Sequence, residues 1–368
     1  MAPSPAALAA ALLQVTVFSL ATGSAWAQGA RTVHAPMTFH AEAGPLRTTA
    51  CLQLTERAYP STPWWESAAP NAPAPDRAFT SVMAAIKRKD RAALLKLTAP
   101  AQARDTARFD EQASAFFQQL QSIQLLAVPR AYEFDGLVAY FGKFRSQTQT
   151  AFVPLAFAHE GGDAFGFLPS RSKELTFTLV NDWFVPSFSA PAETPPYCAE
   201  SDVKGATHRV PLVSSSWRRS SLLLRGAPLD APALSAVAVP LKSTIDQMKA
   251  ALRGPDVDDF FTYLAPLGGS RLKQWFATAL QEERDAYKTA FIEQEPFFVF
   301  DESPLLVVYT RTRTRTRVIQ VLYFTVTDDK RLLWTNSAYI TVSDRVFKQG
   351  PLFAAAGASQ PFSGLVIK

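Results

Sequence analysis

The chain has 368 residues, of which 48% are hydrophobic and 19% are charged, and its formal net charge is +5. This composition excludes wholesale disorder, and the length allows two or three domains, each with a core of its own. The net charge is too small for this length to indicate nucleic-acid or membrane-surface binding by itself.

The N-terminal segment has the features of a secretory signal. Residues 1–27 carry no charged side chain and are apolar from Ala6 to Leu20. The segment ends in Ala25-Trp26-Ala27, the small-x-small pattern that precedes a signal peptidase cut. We therefore predict a signal peptide over residues 1–27 and a periplasmic or secreted protein that begins at Gln28, with no membrane span after cleavage. An uncleaved membrane anchor is the alternative, although the apolar run is short for a span.

Cys51 and Cys198 are the two cysteines of the chain. In an oxidising compartment two cysteines predict one disulfide bond, and two buried free thiols are the alternative.

Residues 28–76 are predicted to form an N-terminal extension. The extension is strand-like around Thr32 to His40 and around Thr48 to Ala58, and it then becomes rich in proline, which disfavours regular structure. Trp64 and Trp65 lie in the Pro-rich part. They either plug a groove on the protein's own domain or form an exposed aromatic contact for a partner.

Two helical segments end in related sequences, Leu97-Thr98-Ala99-Pro100 and Tyr263-Leu264-Ala265-Pro266, which lie 166 residues apart. The same offset pairs Phe79 with Ile245 and Asp90 with Asp256, and it also pairs Phe134-Asp135 with Phe300-Asp301 far downstream. A register kept over that distance predicts two copies of one domain, over 77–186 and 241–350.

In the first copy, apolar residues at spacings of three and four predict a helix from Phe79 to Leu95 with a break near Asp90, and a second helix from Phe109 to Ile123. The period then changes to two. The predicted strands are Ala131 to Phe144, Ala151 to His159, Ala164 to Leu168 and Glu174 to Phe184.

Residues 187–240 are rich in Pro and Ser and are predicted to be a linker or an extra strand layer, with Leu222-Leu223-Leu224 as a short buried strand. The second copy follows in the same order, and its second helix is predicted to begin at an N-cap, Ser270, and to end before Pro296. The predicted strands there are Phe297 to Phe300, Leu305 to Arg311, Val318 to Thr327 and Ala338 to Ser343. Residues 351–368 are predicted to be a flexible tail.

Helices followed by a meander of strands indicate the α+β class. On this element order, its length and the two helix-ending sequences, each copy resembles an NTF2-like (SnoaL-like, cystatin-related) domain. The resemblance implies two tandem copies of a helix-helix-antiparallel curved sheet, shaped as cones that can hold apolar ligands, behind a Pro-rich N-terminal extension. Some members of the family are isomerases or hydratases, and many bind or assemble. The resemblance transfers no catalytic residue to this chain.

Threonine and arginine alternate from Thr310 to Arg317. The surrounding run from Leu305 to Thr327 is too long for one strand, so we predict a hairpin tip near Arg313 to Thr316. Its guanidinium groups suit phosphate or carboxylate groups of an envelope polymer or an acidic protein surface. A solvated sheet edge is the alternative. The candidate binding residues are Arg311, Arg313, Arg315, Arg317, Trp64 and Trp65.

Signals for catalysis are weak. The four histidines have no metal-ligand spacing, and the sequence lacks nucleophile-elbow, phosphate-loop, dinucleotide and zinc-protease motifs, so we expect no metal and no cofactor. His159-Glu160 near Asp163 is either an acid/base cluster or a polar turn. Ser270 with Lys273 has the Ser-x-x-Lys spacing without its companion motifs. Trp275, Phe276, Tyr287 and Phe291 line a pocket or form plain core.

These observations favour an exported, non-catalytic binding or scaffold protein whose partner is a protein, an anionic envelope polymer or an apolar small molecule. The alternative is a metal-independent hydrolase or isomerase that uses a cone pocket. A buried carboxylate or histidine in a pocket would favour the enzyme, whereas cones filled by side chains would count against both the enzyme and the small molecule.

Overall fold

The computed structural model describes residues 29–41, 44–67, 70–99, 124–134, 136–146, 150–168, 196–212, 220–312, 319–335 and 346–357. Within these ranges the protein has thirteen strands in two antiparallel sheets and eight α-helices, most of them short. The predicted signal segment, the helix from Phe109 to Ile123 and the strands at Glu174 to Phe184 and Ala338 to Ser343 lie outside the described residues.

The larger sheet and its helices occupy the first part of the chain. The elements are β1 (Ala30–Ala41), β2 (Gly44–Ala58), α1 (Ala74–Lys87), α2 (Arg91–Lys96), β3 (Gln124–Phe134), β4 (Leu137–Arg145), β5 (Thr150–Gly161), β6 (Ala164–Leu168), α3 (Glu200–Gly205), β7 (His208–Leu212) and β8 (Ser220–Leu224). The strand order is β6-β5-β4-β3-β2-β8-β7, and β1 also pairs with β2. Thr55 of β2 pairs with Thr32 of β1 and with Glu133 of β3, so β1 and β3 lie on opposite sides of β2.

The smaller sheet and its helices follow. The elements are β9 (Gly226–Pro228), α4 (Ser235–Arg253), α5 (Asp258–Phe261), α6 (Pro266–Thr278), α7 (Gln281–Ile292), β10 (Gln294–Glu302), β11 (Leu305–Thr312), β12 (Ile319–Val326), β13 (Leu332–Thr335) and α8 (Gly350–Ala355). The strand order is β13-β12-β11-β10-β9.

Local sequence accounts for where several helices begin. Pro75 lies in the first turn of α1, where its missing N–H costs nothing. The Asp90 side chain accepts a hydrogen bond of 2.9 Å from the Ala93 N–H, which caps α2 and produces the predicted break. Between α6 and α7 the chain leaves the helical conformation at Ala279 and Leu280, and the Glu283 side chain accepts a 2.9 Å hydrogen bond from the Leu280 N–H.

The prediction of one helix from Ser270 is therefore wrong. The Ser270 hydroxyl donates a 2.8 Å hydrogen bond to the Pro266 carbonyl inside α6, so Ser270 does not cap the start of a helix. Likewise, the predicted strand from Ala131 to Phe144 is two strands that reverse at Gly136, where φ is +75° and glycine adopts the turn conformation without strain.

Three apolar clusters define the layers of the molecule. One cluster joins α1 and α2 to one face of the larger sheet, and another joins α4 to α7 to one face of the smaller sheet. The third cluster contains side chains from the remaining faces of both sheets, among them Phe141 and Phe300, together with Phe347 and Phe353 near the C-terminal helix. The two sheets therefore face each other, and the helices cover them from outside.

We call the larger sheet with α1 and α2 the first unit, and the smaller sheet with α4 to α7 the second unit. The two units share a topology. In each, the last strand before the helices pairs with the first of four strands that follow them as a meander, so β6-β5-β4-β3-β2 has the same spatial order as β13-β12-β11-β10-β9. Each unit also has one isolated parallel bridge, Thr98 to Phe167 in the first and Leu264 to Trp334 in the second. Thr98 and Leu264 are 166 residues apart, so the offset read from the sequence also relates equivalent backbone contacts.

The structure nevertheless corrects the fold prediction, because it does not show two separate helix-helix-sheet cones joined by a linker behind an extension. The segment 28–76 supplies β1 and β2 to the larger sheet, and the segment 187–240 supplies β7 and β8 to that sheet and β9 to the other. Gly350–Ala355 forms a helix that buries Leu352 and Phe353, in the part expected to begin a loose tail. These pairings join residues far apart in the chain, which local periodicity does not report.

Cys51 and Cys198 lie at disulfide distance, with 2.10 Å between their sulfur atoms. Among the helices of the described ranges, none is long and apolar enough to cross a membrane.

Candidate functional site

A buried carboxyl group lies at the start of α1. Asp76 is fully buried, and its Oδ1 accepts hydrogen bonds from the hydroxyls of Tyr59, at 2.8 Å, and Tyr140, at 2.6 Å. Its Oδ2 has no hydrogen-bond partner among the described residues. We call Asp76, Tyr59 and Tyr140 the Asp76 cluster.

Burial shifts the pKa values of the Asp76 cluster upward. Burial raises the pKa of Asp76, and the two tyrosine hydrogen bonds and the charge of Arg57 only partly oppose it. Burial likewise raises the pKa of Tyr59 and Tyr140 well above the ordinary value, so both hydroxyls remain donors. Arg57 forms an ion pair with Glu133, which places a second pair of ionisable groups in the same unit.

Aromatic rings enclose the Asp76 cluster. Trp64 stacks on Tyr59 with 4.5 Å between ring centroids, and the Phe79 ring lies 4.4 Å from that of Tyr140. A carboxyl acts as a general acid or base only if it reaches the substrate directly or through one water. In the described part of the chain Asp76 is fully buried, and its hydrogen bonds to Tyr59 and Tyr140 link α1 to the larger sheet.

At two strand positions the second unit has a valine where the first has a buried polar residue. Tyr140 is the fourth residue of β4, and Val308 is the fourth residue of the equivalent strand β11. Glu133 precedes Phe134 as Val299 precedes Phe300. The units are therefore alike in topology but not in the chemistry of their cores.

A second carboxylate, Glu56, holds the segment that follows residue 195. Its Oε1 accepts a 2.8 Å hydrogen bond from Arg31. Its Oε2 accepts a 3.1 Å hydrogen bond from Arg130 and a short hydrogen bond from the hydroxyl of Tyr197. Burial alone would raise the pKa of Glu56, but the hydrogen bonds from Arg31 and Tyr197 and the charge of Arg130 outweigh it and lower the pKa. Tyr197 adjoins Cys198, so the disulfide and this carboxylate fix the same segment.

A third carboxyl group lies where the two sheets meet. Glu302, at the end of β10, is fully buried. Its Oε2 accepts a 2.9 Å hydrogen bond from the Thr49 hydroxyl of β2, and its Oε1 accepts a 2.6 Å hydrogen bond from the N–H of Arg225. Burial raises the pKa of Glu302 to about 8, against the opposing effect of these two hydrogen bonds. Glu302 thus connects the larger sheet, the segment between the sheets, and the smaller sheet.

The sequence-predicted binding residues do not come together. Trp64 and Trp65 are 6% and 7% exposed and pack in the core of the first unit, as in the first of the two alternatives. Arg311 is exposed, and its guanidinium carbon lies 5.5 Å from the centroid of the Phe297 ring. Arg311 pairs with Ile319 across β11 and β12, so the chain reverses between them, as predicted. Arg313, Arg315 and Arg317 lie outside the described residues.

The candidates for chemistry are explained by local structure. His159 Nε2 is 2.8 Å from the Gly162 carbonyl oxygen in a hairpin turn, and Lys273 pairs with Asp258 at 2.8 Å and not with Ser270. The aromatic residues of α6 and α7 pack on one another and on the sheet; they are Trp275, Phe276, Tyr287 and Phe291. No group of three His, Cys, Asp or Glu side chains in the described part of the chain could hold a metal ion.

Asp76, Glu56 and Glu302 were not singled out from the sequence. Pro75-Asp76 before an apolar helix is a helix-start signal, and it would have placed Asp76 in a first turn. The burial of the three carboxyl groups depends on strands that are distant in sequence. No sequence signal shows it.

Comparisons with known proteins give no relative. No family model matches the chain, and the searches of curated proteins and of solved structures found no significant match.

Proposed function

We propose that this chain is an exported, non-catalytic binding or scaffold protein that engages an anionic partner through its surface. The observation that carries this proposal is the filling of the space between helices and sheet by aromatic and aliphatic side chains in both units, in the part of the chain that the structure describes. Such cores leave the outer surface as the place for recognition. The Cys51–Cys198 pair supports an oxidising compartment.

The hairpin between β11 and β12 is the proposed contact. Arg311 is exposed at its base, and Arg313, Arg315 and Arg317 follow it in the sequence before Ile319. Guanidinium groups form two parallel hydrogen bonds with a carboxylate or a phosphate, so a row of them suits a polymer that repeats such groups. An acidic protein surface or an envelope polymer would supply them.

A retention experiment tests the hairpin. The mature protein and a variant with Arg311, Arg313, Arg315 and Arg317 changed to Ser are applied to immobilised polyphosphate and immobilised polyglutamate and eluted with a salt gradient. The hairpin variant should elute at clearly lower salt, because each lost contact reduces the salt-dependent part of binding.

A matched control separates the hairpin from net charge. Four exposed basic residues elsewhere, Lys87, Arg88, Lys96 and Arg253, are changed to Ser for an equal loss of charge. If this control and the hairpin variant elute at the same salt concentration, the hairpin has no special role and the contact proposed here is wrong.

Native mass spectrometry tests the filled cores. The protein is purified from its exported fraction under gentle conditions and sprayed without denaturant. We expect the mass of the chain alone or with a protein partner. A stoichiometric small molecule, retained by the native protein and lost on unfolding, would contradict the filled cores proposed here and would favour the hydrolase or isomerase.

A further inference from the structure

Glu302 lies where the two units meet. It ends β10 of the second unit, and its buried carboxyl group accepts hydrogen bonds from Thr49 of β2 in the first unit and from the backbone N–H of Arg225, which connects β8 to β9. The Asp301 N–H donates a 2.8 Å hydrogen bond to the Arg225 carbonyl, so the connection lies against the end of β10. We call Thr49, Arg225 and Glu302 the junction. Its one carboxyl group binds both sheets and the segment that passes between them.

The carboxyl group of the junction has neutral hydrogen-bond donors. Among the residues that the structure describes, no Arg or Lys side chain forms an ion pair with Glu302. The positive charge of Arg225 favours the ionised form, but its guanidinium is paired with Asp202 of α3 at 2.7 Å. The charge of Asp301, the preceding residue, opposes ionisation. An ionised Glu302 would therefore be a buried charge without a paired cation.

Two further strands pack against the junction. From β7, the His208 ring lies edge-on to the rings of Phe298 and Phe300, with centroids 5.5 and 5.7 Å apart. Burial lowers the pKa of His208 from its ordinary 6.5, so this ring is neutral at pH 7 and above. From β11, the fully buried Leu305 is the cross-strand partner of Glu302. Of the groups around the junction, Glu302 is the one whose charge changes between about pH 7 and 9.

We propose that Glu302 is a proton-dependent latch between the two units, in which ionisation releases the turn between β10 and β11 from Thr49 and Arg225 and lets water reach the carboxylate. A charge enclosed by neutral groups is unfavourable, and contact with water removes that cost. The turn reaches the surface at Ser303, which is exposed, so it can move while the helix-covered core of each unit stays folded. This inference does not depend on the Arg311 hairpin or on export.

Proton linkage gives the size of the effect. Burial raises the pKa of Glu302 to about 8, against the ordinary 4.5 that applies once water reaches the group. The protonated form keeps both contacts, because the Thr49 hydroxyl can accept a hydrogen bond as well as donate one. The closed junction therefore loses stability relative to the open one as pH rises towards 8, and the effect levels off above that value. The equilibrium should shift towards the open state about fivefold from pH 7 to 8 and about twofold from pH 8 to 9.

Amide hydrogen exchange of the purified protein tests the latch. Protection factors are measured at pH 7, 8 and 9 in peptides that cover the junction, residues 223–228 and 299–305, and in peptides that cover the two cores, residues 79–86 and 245–252. The junction peptides should lose protection by the two factors given above. A junction whose protection does not change with pH overturns the proposal.

Urea separates local opening from global unfolding. Local opening exposes little surface, so low urea should leave the protection of the junction almost unchanged and should lower that of the cores. The junction should also be at least tenfold less protected than the cores. If junction and cores show the same protection and the same urea dependence, the junction opens only when the whole chain unfolds, and there is no latch.

A variant identifies the titrating group. Glu302→Gln should abolish the pH dependence of the junction, because the amide does not ionise and can keep both hydrogen bonds. The matched control Glu282→Gln, at an exposed position of α7, should keep it. A Glu302→Gln protein that retains the pH dependence assigns it to another group and overturns the proposal.

A second variant decides the question if Glu302→Gln does not fold. Thr49→Val removes a hydrogen bond that favours the ionised form of Glu302, so it should move the loss of protection to higher pH. A loss of protection at unchanged pH in this variant contradicts the latch.

Discussion

The hydroxyl of Tyr140 donates a 2.6 Å hydrogen bond to Oδ1 of Asp76, at a point where both residues are fully buried. This bond ties the interior strand β4 to the first turn of α1, and so joins the sheet of the first unit to the helix that covers it. The equivalent position on β11 is Val308, where plain packing does the same.

Replacing Tyr140 with Phe should lower the free energy of unfolding by about 1.5–3 kcal/mol, the range for a hydrogen bond to a charged group. The measurement is urea unfolding near pH 7. Tyr309→Phe is the matched control, because Tyr309 is equally buried but donates 2.7 Å to a neutral acceptor, the Phe347 carbonyl. The control should cost about 0.5–1.5 kcal/mol. Equal losses would mean that Asp76 provides nothing beyond an ordinary acceptor.

Glu302 makes stability depend on pH in a defined direction. Burial raises its pKa from an ordinary 4.5 to about 8, so the folded chain holds the proton at pH values where the unfolded chain has released it. The free energy of unfolding should therefore fall as pH rises from about 5 to 8, by at most about 1.4 kcal/mol per pH unit from this group, and level off above that.

Glu302→Gln should remove that part of the pH dependence. The amide cannot ionise, its oxygen can still accept from the Arg225 N–H, and its NH₂ can donate to the Thr49 hydroxyl. Unfolding curves at pH 5, 7 and 9 measure the difference between variant and original protein, and the variant should gain relative to the original as pH rises. Glu200→Gln, at an exposed helix position, is the control. A difference that does not change with pH would contradict the raised pKa.

The disulfide should provide a large share of stability. Cys51 and Cys198 are separated by 147 positions, and closing a loop of that length restricts the unfolded chain by about 5 kcal/mol in the entropic account, with about 2–5 kcal/mol typical of native disulfides. A reducing agent should shift urea unfolding to lower concentration in the original protein. The double variant Cys51→Ala/Cys198→Ala should show the low midpoint with or without the reducing agent, and a reductant effect in that variant would show that the disulfide is not its cause.

Gly166 allows close approach of two backbones at the bridge between Thr98 and Phe167. A Cβ added there would lie 2.6 Å from the Ala99 Cα, which is backbone and cannot move aside as a side chain could. Gly166→Ala should therefore cost about 1–3 kcal/mol in thermal or urea unfolding. Gly350→Ala is the control, since its Cβ would meet nothing within 4 Å. If Gly166→Ala leaves the free energy of unfolding unchanged, the two backbones at the bridge are farther apart than described here.

Much of the local structure followed from the sequence alone. The strand-like stretch from Thr32 to His40 placed β1, period-two patterns placed β5 and β6, and the short apolar run at Leu222 to Leu224 placed β8. The spacing of three and four placed α1 and α2 with their break at Asp90, and the unbroken length of the Leu305 to Thr327 run required the reversal between Arg311 and Ile319. The offset between Thr98 and Leu264 also appeared first as a sequence relationship. All of these depend on neighbours within a few residues, or on direct comparison of one stretch with another.

Tertiary structure decided the rest. The sequence predicted that the Pro-rich extension and the linker are separate from the domains. In the structure β2, from the extension, pairs with β3 and with β8, which lies in the predicted linker. These partners are separated in the chain by about the length of a small domain, so both segments are part of a sheet. Nothing in the local sequence distinguishes Asp76 and Glu302 from other acidic residues. Strands from distant parts of the chain bury them, and this burial raises the pKa of each. Side-chain periodicity records which face of an element is apolar. It does not record which other element will cover that face.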